Sequence, residues 1–279
     1  MKRLIILIFP LLLCTCENEV IEMLPPYVFF VNDIDYHVMD ADDPAAATFL
    51  IRGSVSAQGY IEEVRIGDRT IGRDSIGDET RFMLEHEVDI KGKAPFEVPF
   101  SCLDREGNTD SKVFRFLSSV PIETYQVTMG AQNNSNYGFF FSFKDRKVYS
   151  LTEFVDSKRE EQGFCYGYSM SKNISLLLSP TELVKQVIIN SAGTRVASFC
   201  GIVAINNETF EKAHFDNITN DAFMRNLNGT EYGTFAFNQM EAGKSYLVKS
   251  DDGLRGVIYV QRITPGVAGS VDLIIKLQR

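Results

Sequence analysis

Hydrophobic and polar residues alternate in short segments along the first part of the chain, with turn-forming residues between the segments. An alternation with a period of two is typical of strands that bury one face. No long stretch with the helical period of 3.6 residues interrupts them. The pattern predicts a small all-β sandwich, with strands at 27–31, 48–55, 60–66, 81–88, 96–101 and 112–120.

The second part of the chain, 122–279, is also predicted to be mainly β, as a second β-sandwich or a jelly-roll-like domain with one or two short helices. Ser179-Pro180-Thr181-Glu182 is a capping box, which predicts a helix over Thr181–Ile189. Thr219 is predicted to cap a second short helix that ends at Leu227. Pro121 breaks the strand pattern, so we predict separate domains at 27–120 and 122–279. The predicted strands are 124–130, 137–143, 147–151, 163–170, 174–179, 245–250, 256–263 and 270–277.

The N-terminus has the organisation of an export signal. Lys2 and Arg3 precede an apolar run, Leu4–Leu13, which is too short to cross a bilayer as a helix. The sequence Leu13-Cys14-Thr15-Cys16 resembles the lipobox of bacterial lipoproteins, which implies a signal at 1–15, a lipid on Cys16 and a short tether at 16–26. The alternative is a soluble secreted protein with two spare cysteines in or beside its signal.

Composition and charge narrow the classes of partner. The 279 residues are 44% hydrophobic and 23% charged, which is ordinary for a globular protein. The net charge is −9, and removal of Lys2 and Arg3 with the signal makes that of the mature chain −11. No cluster of Lys and Arg is present, so nucleic acid and anionic membrane surfaces are not expected as partners.

The sequence has few features of a catalytic or metal-binding site. The sequence lacks the nucleophile elbow, the zinc-protease motif and the phosphate loop, so we expect no enzyme and no cofactor. Glu85 and Glu87 flank His86 on a predicted strand and face the opposite side from it, a pattern that a solvated strand face explains better than catalysis. Aspartates surround His37, but their spacing fits no calcium loop, so we favour a solvated turn over a metal site; they are Asp33, Asp35, Asp40, Asp42 and Asp43.

Three cysteines remain after the predicted processing: Cys102, Cys165 and Cys200. Their spacing matches no CxxC motif. A Cys165–Cys200 disulfide is one interpretation in an oxidising compartment. The other, which we favour, is that all three are small buried hydrophobic residues.

Tyrosines beside amide side chains are the candidate ligand-binding residues. Tyr137 follows Asn134 and Asn136 in a polar loop that ends in glycine, and Tyr232 lies near Asn228 and Glu231. Phe164, Tyr166 and Tyr168 alternate on one predicted strand, and we favour a core position for that face over a ligand platform. The chain has no Trp, the largest platform for a sugar ring, so a peptide competes with a glycan as the ligand.

Resemblances to two known kinds of protein domain add to these patterns. Residues 53–61 and 104–108 resemble the hairpin and the late turn of bacterial immunoglobulin-like modules. The segments VTMGAQNNSNYGFFFSF, GFCYGY, LLLSP, YLVKSDDGLRGVIYV and SVDLIIK resemble the C-terminal domain of many surface lipoproteins of Bacteroidetes. That resemblance implies an N-terminal immunoglobulin-like sandwich and an outer-membrane lipoprotein facing the cell exterior, beside an importer of the starch-utilisation type.

Two short motifs are similar to signals of the same phylum. Glu17-Asn18-Glu19 directly after Cys16 is similar to the acidic signal for export to the outer leaflet. Asp74-Ser75-Ile76 matches an O-glycosylation sequence, which implies modification of Ser75. The function we expect is non-catalytic capture of an oligosaccharide or peptide nutrient for an outer-membrane importer. The alternatives are an adhesive or structural surface protein and, third, an unrecognised hydrolase.

Overall fold

The fold was analysed in a computed structural model that describes residues 24–40, 47–154, 161–180, 200–205, 210–227 and 237–279. The chain is mainly β, as the alternating pattern predicts, and its strands form four sheets within this part. Predictions for the export signal, for Cys16, for the helix at 181–189 and for Tyr232 lie outside the described residues.

The first sandwich consists of eight strands over residues 27–118. Sheet 1 has the order β1-β3-β6, and sheet 2 has the order β2-β8-β7-β4-β5, in which β2 runs parallel to β8. Large apolar side chains such as Phe30, Phe100 and Phe116 fill the space between the two sheets. The strands are β1 (Tyr27–Phe30), β2 (Tyr36–Met39), β3 (Thr48–Ser56), β4 (Ile61–Ile66), β5 (Arg69–Gly72), β6 (Arg81–Asp89), β7 (Phe96–Asp104) and β8 (Thr109–Ser118), with a 3₁₀ turn at Val31–Asp33 and helix α1 at Arg73–Ile76.

One of the two immunoglobulin-like turns has the expected form and the other does not. The Asp104 carboxylate accepts hydrogen bonds from the Asn108 backbone N–H (2.7 Å) and side-chain amide (2.9 Å), and Gly107 has φ = 87°. The hairpin predicted at 53–61 is wrong, because this segment crosses from sheet 1 to sheet 2. Both edges of β3 are already paired, with β1 and β6, so β4 has no edge of β3 to join.

The second sandwich is built from residues 122–278. Sheet 3 has the order β11-β10-β12-β13-β15, and sheet 4 has the order β14-β16-β17-β18-β9. Phe141, Phe164, Ile258 and Ile275 belong to the core between them. The strands are β9 (Ile122–Gly130), β10 (Phe140–Ser142), β11 (Lys147–Tyr149), β12 (Gly163–Ser169), β13 (Ile174–Leu178), β14 (Cys200–Ala204), β15 (Phe237–Gln239), β16 (Ser245–Ser250), β17 (Arg255–Thr264) and β18 (Ser270–Gln278).

Three short helices lie in the described parts of this sandwich, against the one or two predicted: α2 (Leu151–Glu153), α3 (Lys212–Asp216) and α4 (Ala222–Asn226). Phe215 and Met224 of α3 and α4 pack with Leu247, Val257 and Ile274 of sheet 4, on the face turned away from sheet 3. Thr219 is not the cap of α4. The N-cap residue is Asp221, and the Asn220 side chain before it accepts a hydrogen bond from the Ala222 N–H at 3.0 Å.

Helix α4 also joins the second sandwich to the first. The Asn226 side-chain amide accepts a hydrogen bond from the Val38 N–H (2.7 Å) and donates one to the Val38 carbonyl (2.8 Å), so it covers the backbone of β2 at the edge of sheet 2. The Asp221 carboxylate accepts from the Val120 N–H at 2.8 Å. Specific hydrogen bonds therefore link the two sandwiches, and their assignment as separate domains stays a prediction.

Two successive long strands, β8 and β9, connect the tether side of the first sandwich to the loop between β9 and β10. Tyr27 lies near the start of β8, because the Val28 N–H donates to the Asp110 carboxylate at 2.8 Å. β8 leads from there to the linker at 119–121, and β9 leads from the linker to the loop at 131–139. These strands have ten and nine residues, or about 30 Å each at roughly 3.4 Å per residue. The tether and that loop are thus at opposite ends of two successive strands.

Candidate functional site

The loop between β9 and β10 contains Asn134, Asn136 and Tyr137 and lies at the end of the second sandwich furthest from the linker along β9. We call residues 131–138 the distal loop. Its base is closed by a hydrogen bond from the Gly130 N–H to the Gly138 carbonyl (2.8 Å). A Cβ on Gly138 would approach the Tyr149 carbonyl oxygen to 2.4 Å, so only glycine fits this closure without a backbone shift.

Asn134 holds the distal loop in shape. Its side-chain oxygen accepts hydrogen bonds from the N–H groups of Asn136 (2.9 Å) and Tyr137 (3.1 Å). Its side-chain nitrogen donates to the carbonyls of Ala268 and Gly269, both at 2.9 Å, in the turn between β17 and β18. Since both polar atoms already have protein partners, we assign Asn134 to ordering the loop rather than to touching a ligand.

Tyr137 and Asn136 are the exposed members of the predicted site. The Tyr137 side chain is 47% exposed, although its backbone N–H is fixed by Asn134. Asn136 and Asn133 are also exposed on the same loop. The loop therefore presents one aromatic ring and two amide side chains on a backbone held at several points.

A neighbouring turn, which the sequence did not single out, is tied to the distal loop. The Gln132 side-chain amide donates to the Tyr168 carbonyl (2.7 Å) and accepts from the Tyr168 N–H (3.0 Å). The Tyr168 hydroxyl donates to the Asn173 side chain across the turn between β12 and β13. Met170 at the tip of that turn is 76% exposed, so an apolar side chain lies on the turn next to the loop. Gln132 lies in the predicted amide-rich segment, but its partner is remote in sequence.

The aromatic strand at 163–169 is part of the core, as we favoured. Phe164 and Tyr166 are fully buried, and Tyr168 is half-buried. Burial raises the pKa of Tyr166, and its hydroxyl hydrogen-bonds to Ser175 at 3.1 Å. Burial also raises the pKa of Tyr246 to about 12. Both phenols are neutral near pH 7.

The aspartates around His37 have separate partners. Asp33 lies 3.6 Å from Lys112, Asp35 forms an ion pair with Arg115 at 2.7 Å, and Asp40 accepts from Asn220 at 2.6 Å. Asp42 and Asp43 lie outside the described residues. Within the described ranges, no group of three or more His, Cys, Asp or Glu side chains is placed to hold a metal ion. A solvated turn remains the interpretation we favour.

The histidines that the structure describes have structural surroundings. His37 stacks on Phe49 with 4.1 Å between ring centroids, and burial lowers its pKa. His86 contacts Phe100 on the inner face of β6, while Glu85 and Glu87 are exposed on the outer face. Burial, and secondarily the charge of Arg69, lower the pKa of His86.

The remaining predicted sites are placed as follows. Ser75 is exposed in α1, whereas Ile76 of the same motif is buried. Cys102 and Cys165 are buried, and the side chain of Cys200 lies outside the described residues, so the Cys165–Cys200 disulfide stays open. None of the helices in the described parts of the chain is long and apolar enough to cross a membrane.

Comparisons with known proteins add little to this geometry. No family model matches the sequence, and no curated protein matches it. Among solved structures, the fold is similar to the crystal structure of a DUF4466 family protein from Parabacteroides merdae, with 9% sequence identity and a TM-score of 0.42. The alignment covers 91% of this chain and 99% of that one. At this TM-score the likeness carries no argument about function.

Proposed function

We propose that the chain is a non-catalytic surface lipoprotein that captures an oligosaccharide or peptide nutrient for an outer-membrane importer. The distal loop is the proposed contact surface, with Tyr137 and Asn136 as its ligand-binding residues. Tyr232 stays a candidate from the sequence alone.

The observation that carries this proposal is the exposure of Tyr137 on a loop that is otherwise held rigid. Because the backbone of Tyr137 is held by Asn134, a ligand that packs against the ring does not have to order the loop as well. Tyrosine provides a flat apolar face and a hydroxyl that can donate or accept. Two exposed asparagine amides beside it add both donors and acceptors, which suits the hydroxyl groups of a sugar and equally the backbone of a peptide.

The position of the distal loop supports capture at the cell surface. The proposed anchor, Cys16, precedes Tyr27 by eleven positions in the sequence, and Tyr27 lies near the end of β8 that is far from the linker. The loop lies at the far end of β9 from the same linker. The anchor would therefore be attached to a different sandwich from the one that carries the loop.

Charge favours a neutral ligand. The net charge of the whole chain is −9, so a polyanionic ligand would be repelled at long range. The polar groups that the distal loop exposes are uncharged amides and a phenol. We therefore expect a neutral oligosaccharide or a peptide without a strong negative charge.

An array of neutral glycans and peptides, probed with the mature protein carrying Cys16→Ser, tests this proposal. We expect saturable binding to one ligand class, which also decides between glycan and peptide. Binding to cell-surface or matrix proteins alone would favour the adhesive alternative, and release of a shortened product would favour a hydrolase. Either of these results, or a blank array, would contradict nutrient capture.

A further inference from the structure

The outer face of sheet 1 carries exposed apolar side chains near the tether. Tyr27, Phe29 and Val31 follow one another on the outer side of β1 and the turn after it, and all three are exposed. Met83 on β6 is 63% exposed. We call these four residues the tether patch.

The strand register places Phe29 and Met83 of the tether patch in one row. Phe29 on β1 pairs with Ser54 on β3, and Ser54 pairs with Met83 on β6, so these three residues form one row across the sheet. Ser54 alternates with inward-facing Gly53 and Val55, which places its side chain on the outer face. It is nevertheless only 7% exposed. A small outward-facing residue becomes this buried when the larger side chains on either side close over it.

The charged neighbours of the patch have partners of opposite charge: in the next row of the outer face, Arg52 pairs with Glu85 at 3.4 Å. The Lys112 ammonium lies 4.6 Å above the centroid of the Tyr27 ring and 3.1 Å from its hydroxyl. The same ammonium lies 3.6 Å from the Asp33 carboxylate, so its charge is partly neutralised. Tyrosine and lysine at the rim of an apolar surface suit the boundary between lipid headgroups and acyl chains.

The proposed anchor identifies the surface that covers the patch. Cys16 and Tyr27 are separated by eleven residues, which span at most about 40 Å even when fully extended. Leu24, between them, is 64% exposed, and its N–H donates to the Gln58 side chain in the loop that follows β3. Lipid on Cys16 therefore brings a bilayer within reach of the end of sheet 1 at which the tether patch lies.

We propose that the tether patch rests on the lipid bilayer that holds Cys16, with Phe29 and Met83 in contact with the boundary of the acyl chains. This contact rests on the lipoprotein part of the proposed function. An apolar contact of this kind adds to the lipid anchor and limits how the protein tilts on the membrane. It relies on buried apolar area and not on charge, which agrees with the absence of a Lys/Arg cluster.

The absence of Trp from the chain makes a direct test practical, because one introduced Trp is the only such fluorophore. Met83→Trp places the probe in the patch, and Met170→Trp places a control probe at a Met of the second sandwich that is even more exposed, beside the distal loop. Mass spectrometry first determines whether Cys16 of each full-length variant carries lipid. Each variant is then reconstituted into neutral phosphatidylcholine vesicles that contain brominated acyl chains.

We expect quenching of Met83→Trp fluorescence to be at least threefold greater than that of Met170→Trp, and to persist at about 0.5 M salt, where charge interactions are screened. Equal quenching of the two probes, or loss of quenching in salt, would overturn the apolar contact. A blue shift of Met83→Trp without quenching would show that protein covers the patch, and would overturn it too. An unmodified Cys16 would instead overturn the lipid anchor and this contact with it.

Discussion

Lys276 provides the sharpest test of how the second sandwich is held together. It lies on β18, and its ammonium donates three hydrogen bonds, to the carbonyls of Phe215 (2.7 Å), Asp216 (2.9 Å) and Ile218 (2.8 Å). The Phe215 carbonyl also accepts from the Ile218 N–H at 3.2 Å, whereas the carbonyls of Asp216 and Ile218 have no further helical turn to supply donors. Burial lowers the pKa of Lys276, and the nearby Asp216 carboxylate opposes that effect.

Substitution Lys276→Met keeps the apolar stem and removes the three donors. The carbonyls of Asp216 and Ile218 then lose their donor at a cost of about 1–1.5 kcal/mol each, and relief of the buried charge returns part of the total. We therefore expect the free energy of unfolding to fall by about 2 kcal/mol. The assay is urea unfolding of the mature protein with Cys16→Ser, followed by circular dichroism.

Lys249→Met is the matched control, because Lys249 is a half-buried lysine on β16 of the same sheet. We expect this control to change the free energy of unfolding by less than about 0.5 kcal/mol. If Lys276→Met is as stable as the unsubstituted protein, or if Lys249→Met loses as much, the capping role of Lys276 is wrong.

Three further predictions concern the first sandwich, the junction and the distal loop. Burial lowers the pKa of His37 in the folded state, so as the pH falls below about 6.5 the imidazole is protonated first in the unfolded state. The free energy of unfolding should therefore fall by at most about 1.4 kcal/mol per pH unit, until the pH passes the lowered pKa of the folded state. His37→Phe should remove this share from pH-dependent unfolding curves, and an unchanged slope would contradict it. Asn226→Ala should cost about 1–2 kcal/mol and raise hydrogen exchange at Val38, whereas exposed Asn133→Ala should do neither. Gly138→Ala should shift the amide NMR signals of the distal loop, because its Cβ would meet a backbone carbonyl; an unshifted spectrum would contradict that closure.

Sequence patterns located most strands because one face of each is buried against the opposite sheet. β6 shows this clearly, with Leu84 and Val88 buried and Glu85 and Glu87 exposed. β2, β5, β14 and β15 were missed, because strands of three to five residues are too short to show a clear alternation by themselves. The parallel pairing of β2 with β8 also leaves no local signal, since it depends on contacts between segments far apart in the chain.

The location of the candidate site could be predicted from the sequence, but the separate roles of its residues could not. A polar segment that ends in glycine indicated an exposed loop around Tyr137, and the structure describes one there. The different roles of Asn134 and Asn136 could not be predicted, because Asn134 is engaged by carbonyls at Ala268 and Gly269, in a turn near the other end of the chain. The role of Gln132 could not be predicted for the same reason, because its partner is the backbone of Tyr168.

The central claim is that the distal loop captures the ligand. The most direct test is a titration of the ligand found on the array against three proteins, namely the unsubstituted protein and two variants. Tyr137→Ala removes the exposed ring, and Tyr60→Ala removes a similarly exposed ring from the first sandwich. We predict that Tyr137→Ala weakens binding at least tenfold with unchanged stability, while Tyr60→Ala binds like the unsubstituted protein. Equal affinity of all three proteins would contradict capture by this loop.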